Sequence, residues 1–124
     1  MMKKLLLVIF AAATMMATGL VAADTAPKTV IHVITIKWKS DASPAQINKA
    51  LEVAATLPSL YPGVTHVWTK PIKKQLPEGY THVIVMEFAS ENALKQYANS
   101  SAQKKWYDVY MPIREESRTS DITN

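Results

Sequence analysis

The residues of this 124-residue chain best suited to proton transfer near neutral pH are its three histidines. His82 lies in GYTHVIVMEF, residues 79–88, where every second residue from Tyr80 is otherwise apolar. Alternate residues share one face of a strand, so His82 is predicted to lie in an apolar row. Such an imidazole either serves a ligand or packs on the sheet, bonded to a backbone carbonyl or to Tyr97.

His32 occupies a similar position in TVIHVITIKWK, residues 29–39. Its row runs Val30, His32, Ile34, Ile36, Trp38, and the opposite row is also apolar at its start, as in a strand covered on both sides. If the two histidine-bearing strands are neighbours, His32, His82 and Tyr97 form the polar end of an apolar cavity.

A metal site is the alternative use of these histidines. His32, His66 and His82 all lie on predicted strands, and zinc accepts three imidazoles plus a water molecule. No nearby carboxylate stands at ligand spacing, however, and the face occupied by His66 depends on the hairpin register. We therefore predict neither a metal nor a cofactor.

The elements that must position these side chains follow the order β-α-β-β-α-α-β. Ser43, Pro44 and Gln46 give the first helix a strong N-terminal signal. The tail, residues 113–124, is either frayed or a short edge strand around 117–123. This order predicts a ferredoxin-like α+β sandwich in which the first and third strands are neighbours. The predicted strands are 29–39, 63–70 and 79–88, and the predicted helices are 43–57, 90–98 and 102–111.

The N-terminal segment, residues 1–23, has the composition of an export signal. Two lysines precede a long apolar run, and Val21 and Ala23 are small residues at the cleavage positions. A retained membrane anchor is the alternative, because the run is almost long enough to span a bilayer. We predict cleavage after Ala23, a periplasmic or secreted location, and a single domain over residues 24–124.

Charge and cysteine content argue against nucleic-acid binding and against cysteine chemistry. Of the 14 basic residues, Lys3 and Lys4 belong to the signal, which leaves 12 against 10 acidic residues and a net charge of +2. This small excess gives little support to nucleic-acid binding. The chain contains no cysteine, so it has neither disulfides nor thiolate chemistry.

The sheet face opposite the histidine row carries a β-branched patch. Only one face of this topology is covered by helices, so the patch is exposed in a monomer and marks an interface. We predict a two-fold homodimer, sheet against sheet. The predicted interface residues are Ile31, Val33, Thr81, Val83 and Val85.

Several stretches together resemble the stress-responsive dimeric α+β barrel (Dabb) family over essentially the whole mature chain. They are IHVITIKWK, SPAQI, PGV, EGYTHVIVMEFASENALKQY and the closing tryptophan helix. Gly-Tyr-Thr-His followed by Phe-X-Ser-X-X-Ala-Leu-X-X-Tyr is the specific part. The resemblance implies a homodimer whose sheets face each other with the helices outside.

The family includes a polyketide cyclase, and its site residues match unevenly. His32 matches the first-strand histidine, His82 the histidine of Gly-Tyr-Thr-His, and Tyr97 a helix tyrosine that assists catalysis. Where the family commonly reads His-Pro-X-His, this chain reads Ser-Ser-Ala-Gln at residues 100–103. The second histidine of that motif is the acid/base of the cyclase, and this chain has Gln103 in its place. An amide does not exchange protons near neutral pH as imidazole does.

Two functions remain open. The first is a non-catalytic homodimer that binds a small apolar or aromatic molecule. The second is a small pocket enzyme of the cyclase or lyase type that uses His32, His82 and Tyr97, and this function needs another proton carrier in place of Gln103. The bulky Trp106 or Tyr110 could instead fill the pocket. The pocket candidates are His32, His82, Tyr97, Gln103 and Trp106.

Overall fold

Residues 28–123 are described by the computed structural model. The predicted signal, residues 1–23, and the predicted domain start at residue 24 lie outside this range. Within residues 28–123, no helix is both long enough and apolar enough to cross a membrane.

Four antiparallel strands form one sheet in the order β2-β3-β1-β4. This is the ferredoxin-like order, and it confirms that the first and third strands are neighbours. The tail is a ten-residue strand paired along the whole of β1, longer than the short edge strand predicted. The strands are β1 Val30–Trp38, β2 Val64–Pro71, β3 His82–Phe88 and β4 Arg114–Thr123.

Serine caps fix the starts of the three longer helices. Ser43 and Gln46 form the predicted capping box, with N···O distances of 2.9 and 3.1 Å. Pro58 lies in the first turn of a second short helix, where no N–H is needed, so the helical run continues beyond the predicted end at residue 57. The helices are α1 Pro44–Ala55, α2 Leu57–Leu60, α3 Glu91–Tyr97 and α4 Ser101–Tyr110, and a 3-10 turn, Met111–Ile113, leads into β4.

All helices that pack on the sheet cover one side, and the core lies there. The row of β1 residues that begins with Val30 faces the helices together with Ile84, Met86 and Phe88 of β3. The predicted β3 row holds only from His82, because Tyr80 precedes the strand. Tyr80 is instead buried beneath the Arg118 guanidinium, whose carbon lies 4.6 Å from the ring centroid.

The other side of the sheet, here called the open face, carries four of the five predicted interface residues. Ile31, Val33, Val83 and Val85 are half-buried there in the single chain, and Val33 pairs with Val85. Thr81 differs, because it precedes β3 and its hydroxyl lies 2.9 Å from His82 Nδ1. Two further open-face side chains, Trp68 and Ile122, are 46% and 58% exposed.

Candidate functional site

A cavity of about 360 Å³ lies between helices α3 and α4 and the β1–β4 half of the sheet. Trp106 and Tyr110 do not fill it, because their rings stack on each other at 4.3 Å and form part of its wall. Four of the five predicted pocket residues line this cavity. They are His32, Tyr97, Gln103 and Trp106.

His32 enters the cavity from β1 and is bonded to Asp121 of β4. The two residues are register partners, and His32 Nδ1 lies 2.5 Å from Asp121 Oδ1. When Nδ1–H donates to this carboxylate, the lone pair of the neutral imidazole is on Nε2. His32 and Tyr97 each contact the ring of Phe88, at centroid distances of 5.8 and 5.1 Å, so both pack on the same phenyl ring.

Most of the buried polar atoms without a partner in residues 28–123 belong to residues that line the cavity, although the atoms themselves are inaccessible. In residues 28–123, five buried side-chain polar atoms have no hydrogen-bond partner, and four of them belong to residues that line this cavity. Trp106 Nε1 and Arg114 Nε can only donate, whereas the hydroxyls can donate or accept. The four atoms are Tyr97 Oη, Trp106 Nε1, Tyr110 Oη and Arg114 Nε.

Burial also fixes the protonation of the two tyrosines. It raises the pKa of the Tyr97 phenol, and the charge of a Tyr107 phenolate would raise it further. Burial likewise raises the pKa of Tyr110, although the nearby Ser117 and Arg114 oppose the shift. Both groups are therefore neutral hydroxyls at physiological pH.

Gln103 is held by the fold. Its Oε1 accepts from the backbone N–H of Asn99 at 2.7 Å, and its Nε2 donates to Tyr107 Oη at 3.3 Å. Asn99 has a φ of +63°, a left-handed conformation that asparagine tolerates, so this contact supports the turn between α3 and α4. Gln103 thus lines the cavity with its side chain already engaged.

His82 does not line this cavity, and the predicted grouping of His82 with His32 and Tyr97 is not observed. His82 pairs with Ile36 on β1, whereas His32 pairs with Met86, so the two histidines lie four register positions apart. Trp38 Nε1 donates to His82 Nδ1 at 2.9 Å, and burial lowers the pKa of His82. Its contacts are those of the packing interpretation, with Trp38 as the partner in place of a carbonyl or Tyr97.

His66 lies on the open face, away from the other two histidines. It pairs with Glu87, its Nδ1 is 2.8 Å from Glu87 Oε1, and its ring stacks on Trp68 at 5.5 Å. The three histidines therefore do not converge. Across residues 28–123, no group of three histidine, cysteine, aspartate or glutamate side chains could hold a metal ion.

The wall of the cavity that β4 provides was not predicted from the sequence. Arg114, Ser117, Thr119 and Asp121 all line the cavity, and the segment was predicted only as a tail or a short edge strand. A polar edge strand lacks apolar alternation, which is the main signal for a strand. The alternation of Ser117, Thr119 and Asp121 was the available sign that these residues share one face.

Known proteins resemble this chain over most of its length. The family described as Stress responsive A/B Barrel Domain matches residues 30–124. Olivetolic acid cyclase from Cannabis sativa is 29% identical over 96 residues, which cover 76% of this chain and 95% of the cyclase.

Two solved structures share the fold at lower identity. A hydroxynitrile lyase from Passiflora edulis superposes with a TM-score of 0.72 at 17% identity, covering 80% of this chain and 95% of the lyase. A protein from Thermobifida fusca, described as dimeric and ferredoxin-like, gives a TM-score of 0.68 at 12% identity, covering 78% and 92%.

Proposed function

Because the chain belongs to the stress-responsive A/B barrel domain (Dabb) family, we propose that it is an exported homodimer that binds a small apolar or aromatic molecule between α3, α4 and the sheet. The observation that carries this proposal is the cavity itself, whose wall combines the aromatic rings of Tyr97, Trp106 and Tyr110 with His32 and Arg114. Binding without chemistry is favoured because Gln103 replaces the family's acid/base histidine and its amide is already engaged.

The make-up of the wall is that of a small-molecule site, which is usually concave and aromatic with a few polar groups. The rings of Tyr97, Trp106 and Tyr110 supply the apolar contact area.

The open face supports the homodimer. Val33, Val85, Trp68 and Ile122 form an apolar surface, and such surfaces mark interfaces. A structural relative described as dimeric agrees with this assignment. Export rests on residues 1–23 alone, with their lysines, apolar run and small residues before Asp24.

The test is native mass spectrometry of the protein purified from the periplasm of its native host. We expect a dimer that carries a small molecule. In Thr119→Trp the new ring occupies the cavity, so the bound molecule should be lost. Gln96→Trp, on the exposed surface of α3, is the matched control and should retain it. A dimer that carries nothing, and that no aromatic compound stabilises against heat, would contradict the proposal.

A second candidate function is a small pocket enzyme of the cyclase or lyase type. The observation that favours it is the bond between His32 and Asp121, because a carboxylate that orients an imidazole leaves Nε2 as a base inside the cavity. Tyr97 also lines the cavity, and its buried hydroxyl would have to turn toward the substrate to donate to a developing negative charge. His82 has no part in this candidate because it lies outside the cavity.

A further inference from the structure

The hydrogen bond between Trp38 and His82 fixes the protonation state of the imidazole. Trp38 Nε1 can only donate, and it lies 2.9 Å from His82 Nδ1, so Nδ1 accepts and the ring hydrogen is on Nε2. A proton from the solvent that added to Nδ1 would set one N–H group against another. Neutral His82 therefore holds the indole of Trp38, and protonated His82 does not.

Thr81 offers the protonated ring another partner. Its hydroxyl lies 2.9 Å from the same nitrogen, and a hydroxyl can either donate or accept. The backbone of Thr81 is bonded on both sides, because its N–H donates to the Ile36 carbonyl at 3.0 Å and its carbonyl accepts from the Ile72 N–H at 2.8 Å. Nδ1 thus has two partners within reach, and only Thr81 suits the protonated ring.

The surroundings of His82 leave this choice to the proton alone. Its register partners, Ile36 on β1 and Pro71 on β2, are uncharged. Among residues 28–123, neither an ion pair nor a side-chain hydrogen bond joins His82 to a charged group. Burial alone lowers its pKa, so the ring is neutral near pH 7 and gains a proton in mild acid.

Trp38 connects His82 to the cavity. Its indole packs edge-on against the Tyr110 ring at a centroid distance of 5.9 Å, and Tyr110 stacks on Trp106 in the cavity wall. Two ionisable groups adjoin this contact. They are the phenol of Tyr110, which burial keeps neutral, and Arg114, whose guanidinium carbon lies 5.8 Å from the Tyr110 centroid.

We propose that His82, Thr81 and Trp38 form a proton-operated switch, in which protonation moves the bond of His82 from Trp38 to Thr81 and releases the indole behind the aromatic wall of the cavity. A β-bulge at Glu115 interrupts the β1–β4 register just before Trp38, so the released side chain lies at the end of the regular strand. This inference goes beyond the proposed function, because it concerns the ligand-free protein.

The first experiment follows the indole N–H of Trp38 and the ring of His82 by NMR between about pH 7 and about pH 5, without ligand. In the wild type, the Trp38 signal should move toward that of a free indole with the same midpoint as His82. In His82→Gln the signal should stay in place, because the amide oxygen accepts and gains no proton in this range. A Trp38 signal that stays constant while wild-type His82 titrates would overturn the proposal.

Two further variants test the exchange of partners. Trp38→Phe removes the bond to the neutral ring and should raise the proton affinity of His82 about two- to tenfold. Thr81→Val removes the acceptor of the protonated ring and should lower that affinity by a similar factor. Thr35→Val, on the open face, is the matched control and should leave it unchanged. A higher affinity in Thr81→Val would show that the hydroxyl only donates, and there would be no switch.

The ring signals of Tyr110 test the link to the cavity. In the wild type they should change with the midpoint of His82, and this change should be absent in His82→Gln, whereas any effect of His32 on the cavity remains in that variant. Identical changes in both proteins would overturn the link, and loss of the fold before His82 gains a proton would overturn the whole proposal. If His82→Gln does not fold, Trp38→Phe takes its place, because it lacks the indole N–H.

Discussion

His32 and Asp121 are bonded at 2.5 Å across β1 and β4, although 89 residues separate them in the chain. The first and last strands in chain order, β1 and β4, thus each contribute one member of a pair on the cavity wall. The pair also fixes which nitrogen of the imidazole is left for another partner, because Nδ1 is bonded to the carboxylate.

Replacing Asp121 by Ala should change the tautomer of His32. Without the carboxylate, no acceptor stabilises the hydrogen on Nδ1 of neutral His32. The ¹⁵N chemical shifts of the ring should therefore move toward those of the Nε2–H form. Because Asp121 is 47% exposed, the loss of folding stability should stay near or below about 1 kcal/mol. Asp108→Ala, which breaks an exposed surface pair, is the control, and unchanged shifts in Asp121→Ala would contradict the assignment.

Removing the Tyr97 hydroxyl and removing the Tyr61 hydroxyl should affect the free energy of unfolding differently. Tyr97→Phe removes a buried hydroxyl that has no partner, so the ligand-free protein should keep its stability or gain up to about 1 kcal/mol. Tyr61→Phe removes a hydroxyl that donates to the Ala93 carbonyl at 2.7 Å and should cost about 1 kcal/mol. Urea unfolding of both variants checks this. A larger loss in Tyr97→Phe than in Tyr61→Phe would show that the Tyr97 hydroxyl is bonded within the fold.

His82 should make the protein less stable in mild acid. Burial lowers its folded-state pKa below the unfolded value of 6.5, so the unfolded chain binds the proton more readily. The stability contributed by neutral His82 is complete above 6.5 and decreases as the pH falls toward the lowered pKa. Unfolding free energies measured at about pH 7 and about pH 5 should therefore differ less in His82→Gln than in the wild type.

Glu87 provides an internal contrast in the same titration. Hydrogen bonds from Thr65 and His66 lower the pKa of its carboxyl, so its contribution is present above the unfolded value of 4.5 and is lost below it. The two residues therefore act in different pH ranges. An equal pH dependence of the wild type and His82→Gln above 4.5 would contradict the assignment to His82.

Changing Val33 and Val83 together to Lys should disrupt the proposed dimer. The two residues lie on neighbouring strands of the open face, and two buried ammonium groups per subunit would face the same groups of the partner. Light scattering should show monomers or insoluble protein. Glu52→Lys with Gln96→Lys, on the exposed surfaces of α1 and α3, adds lysines away from the open face and should remain dimeric. A folded dimer of the first double variant would place the interface elsewhere.

The wild type should not cyclise a linear polyketide thioester above background. Gln103 stands where the resemblance implies an acid/base histidine, and its amide is bonded to Asn99 and Tyr107. Product analysis by mass spectrometry checks this. Turnover that is lost in His32→Gln and in Tyr97→Phe would instead support the second candidate function, with His32 as the base.

The fold was predictable because its elements carry strong local signals. Ser43, Pro44 and Gln46 mark the start of α1, and β-branched alternation marks β1 and β3. The predicted apolar rows also identified the side of the sheet that the helices cover. Tyr80 was placed wrongly because alternation does not reveal where a strand begins, and a one-residue difference reverses the face.

The site was predictable only in part, because one wall of the cavity comes from the polar edge strand β4. His32, Tyr97 and Trp106 could be found from residue type and helical or strand spacing, whereas their grouping depends on register. His82 shares a strand pair with His32 but lies four positions away, a distance that no local pattern records. Arg114 and Asp121 belong to a polar strand. The β-bulge at Glu115, which places Arg114 opposite Trp38 on the side of the helices, has no sequence signature here.

The polar character of β4 affects how the chain resists aggregation. Val30 to Ile36 on β1 form a β-branched run, interrupted only by His32, without proline, glycine, lysine, arginine or acidic residues, the kind of segment that pairs with other chains when its edge is free. Docking of β4 covers that edge with a strand in which Arg, Glu and Asp account for five of ten residues. Because β4 also forms one wall of the cavity, a molecule bound there would favour the docked strand by mass action and thereby keep the vulnerable edge closed.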